Sequence, residues 1–497
     1  MQQTHPNHHL SSRLVALIAG GLLVCATSSA QTFSLLNGLA DYQVFQRGAT
    51  DTVTFRVEGS ATANGIVKVS VTSEEKLLEN FNRLQIGTAA GGSWKGLISS
   101  LPTGGPYAFE FVLEATDGSK IASHIVQRVL VGDLWLLGGQ SNMEGVGDMI
   151  NVEEPSERIN VYRMRHQWDE ASEPIHRLYE SVDRVHFFDR RGESPLPSLE
   201  EANKTAAAST KGAGLGLPFA KQMVARTGIP IGLVPVAHGG TSMEQWNPDH
   251  RDKGGDSLYG SFLSAFKAVG GKVRGMLWYQ GESDAGNDEL PKTFTPSFIR
   301  LVEAIRQDTG DPNLPFFYVQ IGCVAQTDPP LPFTPANWNS IQDQQRSCET
   351  LIPNVGVVTA VDLALDDLIH IGTDGLKRLG KRLANLALGS PSAGPRFDRV
   401  EKGEGFYRVV FKGGTGKLMS PKGRVSGFSI RSKAGEDLSR IYKAAVDPDQ
   451  PNSVLLYITA PPAEGYLWYG YGLMPFCNLT DTEDMAALVM GPVDLPK

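Results

Sequence analysis

The chain has 497 residues, 41% of them hydrophobic and 20% charged, with a formal net charge of -8. This length suits about three domains with a sizeable core, and the balanced composition excludes a disordered or fibrous chain. The acidic balance leaves no basic footprint, so nucleic acid is not an expected partner.

The first segment reads as a leader. Arg13 precedes an apolar stretch from Leu14 to about Ala26, and Ser28-Ser29-Ala30 supplies small residues before Gln31. This pattern predicts a secretory signal over 1–30 and hence a secreted or periplasmic protein. The stretch is short for a membrane span, and no later segment is apolar enough for one, so no integral membrane span is expected. Cys25 falls inside the leader, leaving Cys323, Cys348 and Cys477. An odd number without short paired spacing argues against a disulfide framework and against a zinc site. Whether Cys323 and Cys348 pair or stay free stays open. Asn203-Lys204-Thr205 and Asn478-Leu479-Thr480 match the glycosylation pattern.

From 31 to 131 the periodicity is β. Val53, Phe55 and Val57 alternate with polar residues, as do Val67, Val69 and Val71 after the Asn64-Gly65 turn, and then Tyr107, Phe109, Phe111 and Leu113. Period two with polar partners predicts sheets with one wet face, packed as a small sandwich-like domain.

Between 132 and 390 the signal changes. Five short apolar runs lack strict alternation: Leu134 to Leu137, Ile231 to Val236, Met276 to Tyr279, Phe316 to Ile321 and Val355 to Val361. Helix-like stretches separate them, such as Leu217 to Arg226 closed by Gly228. Continuous apolar strands alternating with helices predict a doubly wound parallel sheet covered on both faces. Residues from about 151 to 212 show no core pattern and read as an insertion, a candidate for shaping a substrate cleft or a bare surface excursion. After Pro391-Ser392-Ala393-Gly394-Pro395, β alternation returns over 395–497 in a second sandwich-like domain.

The carboxyl ends of the α/β strands carry the polar clusters, as expected where loops converge on a doubly wound site. Ser141 follows the first, in Gly139-Gln140-Ser141-Asn142-Met143. His238-Gly239-Gly240-Thr241-Ser242-Met243-Glu244-Gln245-Trp246 follows the second. The third runs into Gln280-Gly281-Glu282-Ser283-Asp284, and the last is followed by Asp366-Asp367-Leu368-Ile369-His370. Serine attack on a carbonyl needs a base, a group orienting that base, and donors for the oxyanion. His370 is the best base, with Asp367 three residues earlier to hold its imidazole; Asp366 is a rival orienter and His238 a rival base. A serine here is also a common helix cap, and Met143 stands where an α/β-hydrolase elbow has its last glycine. For Trp246 and Trp278 core packing is the default, with a sugar-lining role open to Trp246.

These four clusters resemble the sequence blocks of the sialate O-acetylesterase family, a branch of the SGNH hydrolases with acetylxylan-esterase-like relatives. Asn37-Gly38-Leu39 through Gly48 and Tyr469 to Leu479 resemble the family's two ends. The resemblance implies an SGNH-type doubly wound α/β fold flanked by N-terminal and C-terminal β-sandwich-like domains. It implies a serine esterase with Ser141 as nucleophile, His370 as base and Asp367 as its orienting acid. The oxyanion donors would be the backbone N–H groups of Ser141 and Gly240, with Gln280 as a side-chain contributor, because this chain has no asparagine in its Gly281-Glu282-Ser283-Asp284 block. The implied substrate is an O-acetylated carbohydrate, with no metal and no cofactor. Acetylated xylan or another polysaccharide in place of sialic acid, and an inactive carbohydrate-binding protein, are the competing readings. The sequence says nothing of oligomeric state.

Overall fold

One long strand, Lys120–Gly139, organises the molecule. Its first part pairs antiparallel with Gly104–Glu114. Its last residues run parallel between Ile231–Pro235 on one side and Gly275–Tyr279 on the other. The computed structural model describes residues 32–187, 198, 200–201, 210–389 and 393–496. The leader expected over 1–30 and the Asn203 glycosylation pattern lie outside them.

The centre is mixed α/β. Its parallel strands lie in the order Ile159–Arg163, Ile231–Pro235, Lys120–Gly139, Gly275–Tyr279, Phe316–Gln320 and Val355–Thr359, with Gln167–Glu170 antiparallel at one edge. Four of these, Ile159–Arg163, Ile231–Pro235, Gly275–Tyr279 and Phe316–Gln320, are almost wholly buried, as a sheet covered by helices on both faces requires. The helices Gly216–Thr227, Leu258–Ala268, Leu290–Thr309, Pro335–Leu351 and Thr373–Ala387 bury Phe219, Phe262, Phe298, Trp338 and Leu379 in this core. Gly228 closes its helix in the left-handed conformation, as its sequence position suggests.

The region expected as an insertion is corrected in one respect. Ile159–Arg163 lies inside 151–212 and is a buried strand of the central sheet. Its apolar run is broken by Asn160 and Arg163, both buried. Asn160 Nδ2 donates to Tyr42 O at 2.7 Å and Arg128 O at 3.0 Å. The two terminal nitrogens of the Arg163 guanidinium are spent on carbonyls of Pro174, Ile175, Glu170 and Ser172. The two side chains are tolerated there because the Asn160 amide nitrogen and the terminal Arg163 nitrogens have partners.

The N-terminal strands continue the central sheet through one hydrogen-bonded path, Phe33–Asn37, Thr52–Ala61, Ser93–Pro102, Leu84–Ala90, Gly65–Ser73, Gly104–Glu114 and then Lys120–Gly139. They enclose a second apolar cluster that includes Val57, Val69, Phe109 and Phe111. The C-terminal strands form separate sheets of four, two and three strands around a third cluster, which takes in Cys323 and Val361 from the α/β unit. Polar clamps fasten this part beneath the strand ends. The Gln320 side chain exchanges two hydrogen bonds with the Val489 backbone, and Asn339 does the same with Gly470 and Gly472. Cys323, Cys348 and Cys477 are buried free thiols; burial pushes the Cys323 thiol up to about 12, far from thiolate chemistry. Among the described residues no helix is long and apolar enough to cross a membrane.

Candidate active site

Strand pairing sets the position of Ser141. Gly139 pairs with Tyr279 at the end of the parallel register, at φ 130°, and a Cβ there would run into the Tyr279 carbonyl. Gln140 N donates to that same carbonyl at 2.8 Å. The chain then turns into the helical turn Ser141–Glu144. The cap position belongs to Gln140, whose side chain makes no capping bond, so Ser141 is the first helical residue and not a cap. Gln140 Oε1 instead faces the N–H groups of Gly281 and Ser283 at 3.4 and 3.3 Å, tying the first cluster to the third.

The His370 imidazole is oriented by Asp367. Nδ1 lies 2.7 Å from Asp367 Oδ2, while Oδ1 accepts from Ile369 N and His370 N at 2.9 and 2.8 Å. Partial burial alone would raise the Asp367 carboxyl, but these donors and the imidazole outweigh it and hold the group below its usual range. Asp366, the rival orienter, is a loop brace: its carboxylate accepts from Asp148 N and Thr373 N. Lys211 Nζ stands 4.0 Å from Asp367 and 2.8 Å from Asp148, a neighbour with no sequence signal.

Asn142, next to Ser141 in sequence, ties the first cluster to the His370 loop. Its Nδ2 donates to Ile369 O at 3.3 Å and its Oδ1 accepts from Ile371 N at 3.0 Å, so it grips the backbone on both sides of His370. The same Nδ2 donates to Glu282 Oε1 at 2.7 Å. Burial pushes the Glu282 carboxyl up to about 7, against the pull of Asn142. Ser141 Oγ and His370 Nε2 make no hydrogen bond among the described residues.

The glycine turn backs onto the serine. A Cβ on Gly239 would sit 3.4 Å from Ser141 Cβ and 3.0 Å from Glu144 Oε2, which accepts Gly239 N at 2.8 Å. Burial raises the Glu144 carboxyl to about 7. Gly240 follows in the left-handed region at φ 68°. The N–H groups of Ser141 and Gly240 take no partner among the described residues.

Gln280 departs from expectation. It is fully buried, and its amide nitrogen donates to Thr241 O at 3.0 Å and to Asp284. Both neighbours are acceptors, so the amide cannot be turned to face them with its oxygen. Its hydrogens are spent, and its role as oxyanion donor is withdrawn. Asp284 in turn accepts Met243 N, and burial raises its carboxyl to about 6. His238, the rival base, is buried and bonded through Nδ1 to His186 Nδ1 at 3.0 Å. Trp246 and Trp278 are 1% exposed and meet edge to face at 5.0 Å; they are core, and Trp246 does not line a sugar site.

Three comparisons bear on this constellation. The family model described as carbohydrate esterase, sialic acid-specific acetylesterase, matches residues 131–389. A probable carbohydrate esterase of Arabidopsis thaliana is 28% identical over 264 residues, covering 51% of this chain and 90% of that protein. The sialate O-acetylesterase of Mus musculus is 22% identical over 395 residues, covering 67% of this chain and 68% of that protein. Among solved structures, a carbohydrate acetylesterase from Xanthomonas citri aligns over 92% of this chain and 99% of its own, with a TM-score of 0.57 at 23% identity. That last likeness is one of fold.

Proposed function

Because the chain belongs to the carbohydrate esterases of the sialic acid-specific acetylesterase family, we propose that it is a secreted serine hydrolase removing acetyl groups from sugar hydroxyls. The observation that carries the mechanism is the grip of Asn142, next to Ser141, on both backbone neighbours of His370. It gives the nucleophile and its base a common frame.

In this reading Ser141 Oγ attacks the acetyl carbonyl and His370 Nε2 takes its proton. The ester carbonyl becomes an oxyanion held by the N–H groups of Ser141 and Gly240. As the C–O bond to the sugar breaks, His370 returns the proton to the departing sugar oxygen, leaving acetyl-Ser141. Water activated by His370 then releases acetate and restores the hydroxyl. Asp367 stays ionised and keeps Nδ1 protonated, so Nε2 is the basic nitrogen. Secretion follows the leader pattern at 1–30. Acetate release from O-acetylated glycans tests the activity, and detection of the mature chain outside the cytoplasm tests the secretion. Release by Ser141→Ala at the parental rate would defeat the serine mechanism.

A further inference from the structure

The segment after strand Gln167–Glu170 returns to the molecule beside the glycine turn, and the junction holds a cavity of about 220 Å³. Val185, from the 3-10 turn Arg184–His186, forms one wall, and His238 and Thr241 of the glycine-turn cluster form another. The third comes from the 3-10 segment Pro248–Asp256, with His250, Lys253 and Asp256 at the surface of the cavity.

A buried polar chain runs behind the His238 wall. The Ser261 hydroxyl donates to Asp183 Oδ2 at 2.5 Å, and Ser261 Oγ lies 3.2 Å from His186 Nε2. His186 Nδ1 then meets His238 Nδ1 at 3.0 Å. Burial, with His238 beside it, pushes the His186 imidazole well down, so it is neutral. The protons follow in one direction: Ser261 uses its hydrogen on Asp183, His186 donates from Nε2 to Ser261, and His238 donates from Nδ1 to His186. One tautomer and one ring plane of His238 are thereby fixed at the cavity wall. Buried polar chains cost desolvation unless every member is bonded, and this one is complete from Asp183 to His238.

The lining chemistry specifies a ligand. Lys253 and Asp256 are the charged residues of the lining and are opposite in sign, so neither sign dominates. His250, Lys253 and Asp256 supply both donors and acceptors, while Val185 and Leu258 supply an apolar flank. The volume falls below the roughly 300–1,000 Å³ of pockets for drug-sized ligands, which suits one ring and not an oligomer. A pyranose answers this description: its hydroxyls both donate and accept, and its C–H face is apolar. A carboxylated sugar would instead set its anion beside Asp256 without a net positive counterpart.

We propose that this cavity is a subsite for one neutral pyranose ring of the glycan that carries the acetyl group. The proposal rests on the esterase reading above, and it gives the 151–212 region a task in substrate recognition through Val185 and His186.

The test compares an acetylated neutral oligosaccharide, an O-acetylated sialoside and 4-nitrophenyl acetate, using the full chain with Lys253→Ala, His250→Ala and the cavity-filling Val185→Trp. Each variant is expected to lower the ratio of kcat/KM for the neutral oligosaccharide to that for the aryl ester by about tenfold, mainly through KM. An unchanged ratio in all three variants overturns the subsite. A parent enzyme that prefers the sialoside, and loses that preference in Lys253→Ala, overturns the neutral assignment. Ser141→Ala separates the two claims: if it still hydrolyses the aryl ester, the esterase reading has failed, whereas loss of activity together with unchanged ratios condemns the subsite alone.

Discussion

Asn142 holds His370 without touching its ring. By bonding Ile369 O and Ile371 N it fixes the His370 backbone from both sides, and Glu282 fixes Asn142 in turn. Three segments remote from one another in sequence are thereby locked at one amide. Asn142→Ala is expected to lower kcat by about 10² while changing KM little, the scale of a misplaced reacting group. Steady-state kinetics on an aryl acetate reads this; a parental kcat would remove Asn142 from the positioning role.

Asp367→Asn tests the orienter. An amide can present its N–H to Nδ1 and favour the wrong tautomer, and losses of about 10³–10⁴ in kcat follow from such a change in a serine triad. Asp366→Asn is the control for the rival assignment. Its carboxylate serves Asp148 N and Thr373 N, so it should change thermal stability more than turnover. The reverse pattern would exchange the two roles.

Gly240→Ala and Gln280→Ala separate donors from scaffolding. Gly240 sits at φ 68°, where a side chain costs roughly 1–2 kcal/mol, and displacing its N–H from the oxyanion should cost about 10²–10³ in kcat. Gln280→Ala strips the donor from Thr241 O and from buried Asp284, so a lowered unfolding midpoint is expected, with a smaller kinetic effect than Gly240→Ala. A larger kinetic effect would restore Gln280 as a donor.

How much of this was legible in the sequence depends on distance along the chain. Ser141 could be read because an apolar strand runs straight into it, and Asp367 and His370 because their partnership is local. Asn142 lay in the same motif yet showed no role, since its partners Ile369 and Ile371 are remote in sequence. Gln280 was misassigned because composition does not reveal which acceptors a buried amide will meet. The strand Ile159–Arg163 was hidden by Asn160 and Arg163, whose partners exist only in the folded state. The single hydrogen-bonded path from the N-terminal strands into the central sheet was equally hidden, because one strand, Lys120–Gly139, changes from antiparallel to parallel partners midway.

Glu173 provides a pH test away from the reacting residues. Burial raises its carboxyl to about 8, against the N–H groups of Ile175 and Gly214. A carboxyl raised above its unfolded value of 4.5 contributes stability that is complete below that value and is lost as pH rises through the folded value. Glu173→Gln keeps an acceptor for Ile175 N and removes the ionisation. It should gain up to about 3 kcal/mol relative to the parent at pH 8 over pH 5. Urea midpoints at the two pH values check this, and equal shifts at both would contradict it.

Arg382 tests the clamp between the α/β unit and the C-terminal sheets. It is 1% exposed and bonds Asp362, Thr359 O and Asp484 O. Asp362→Ala leaves a buried guanidinium short of its anion, and a loss of about 3–5 kcal/mol is expected. A shift in unfolding midpoint worth less than about 1 kcal/mol would show that Asp484 alone suffices.

The most direct measurement is acetate release by Ser141→Ala beside the parent, on an O-acetylated oligosaccharide and on an aryl acetate. Loss of a triad nucleophile costs about 10⁶ in turnover, so release at the uncatalysed background is expected on both substrates, with an unaltered unfolding midpoint. Release within tenfold of the parent on either substrate would contradict the assignment of Ser141 as the nucleophile.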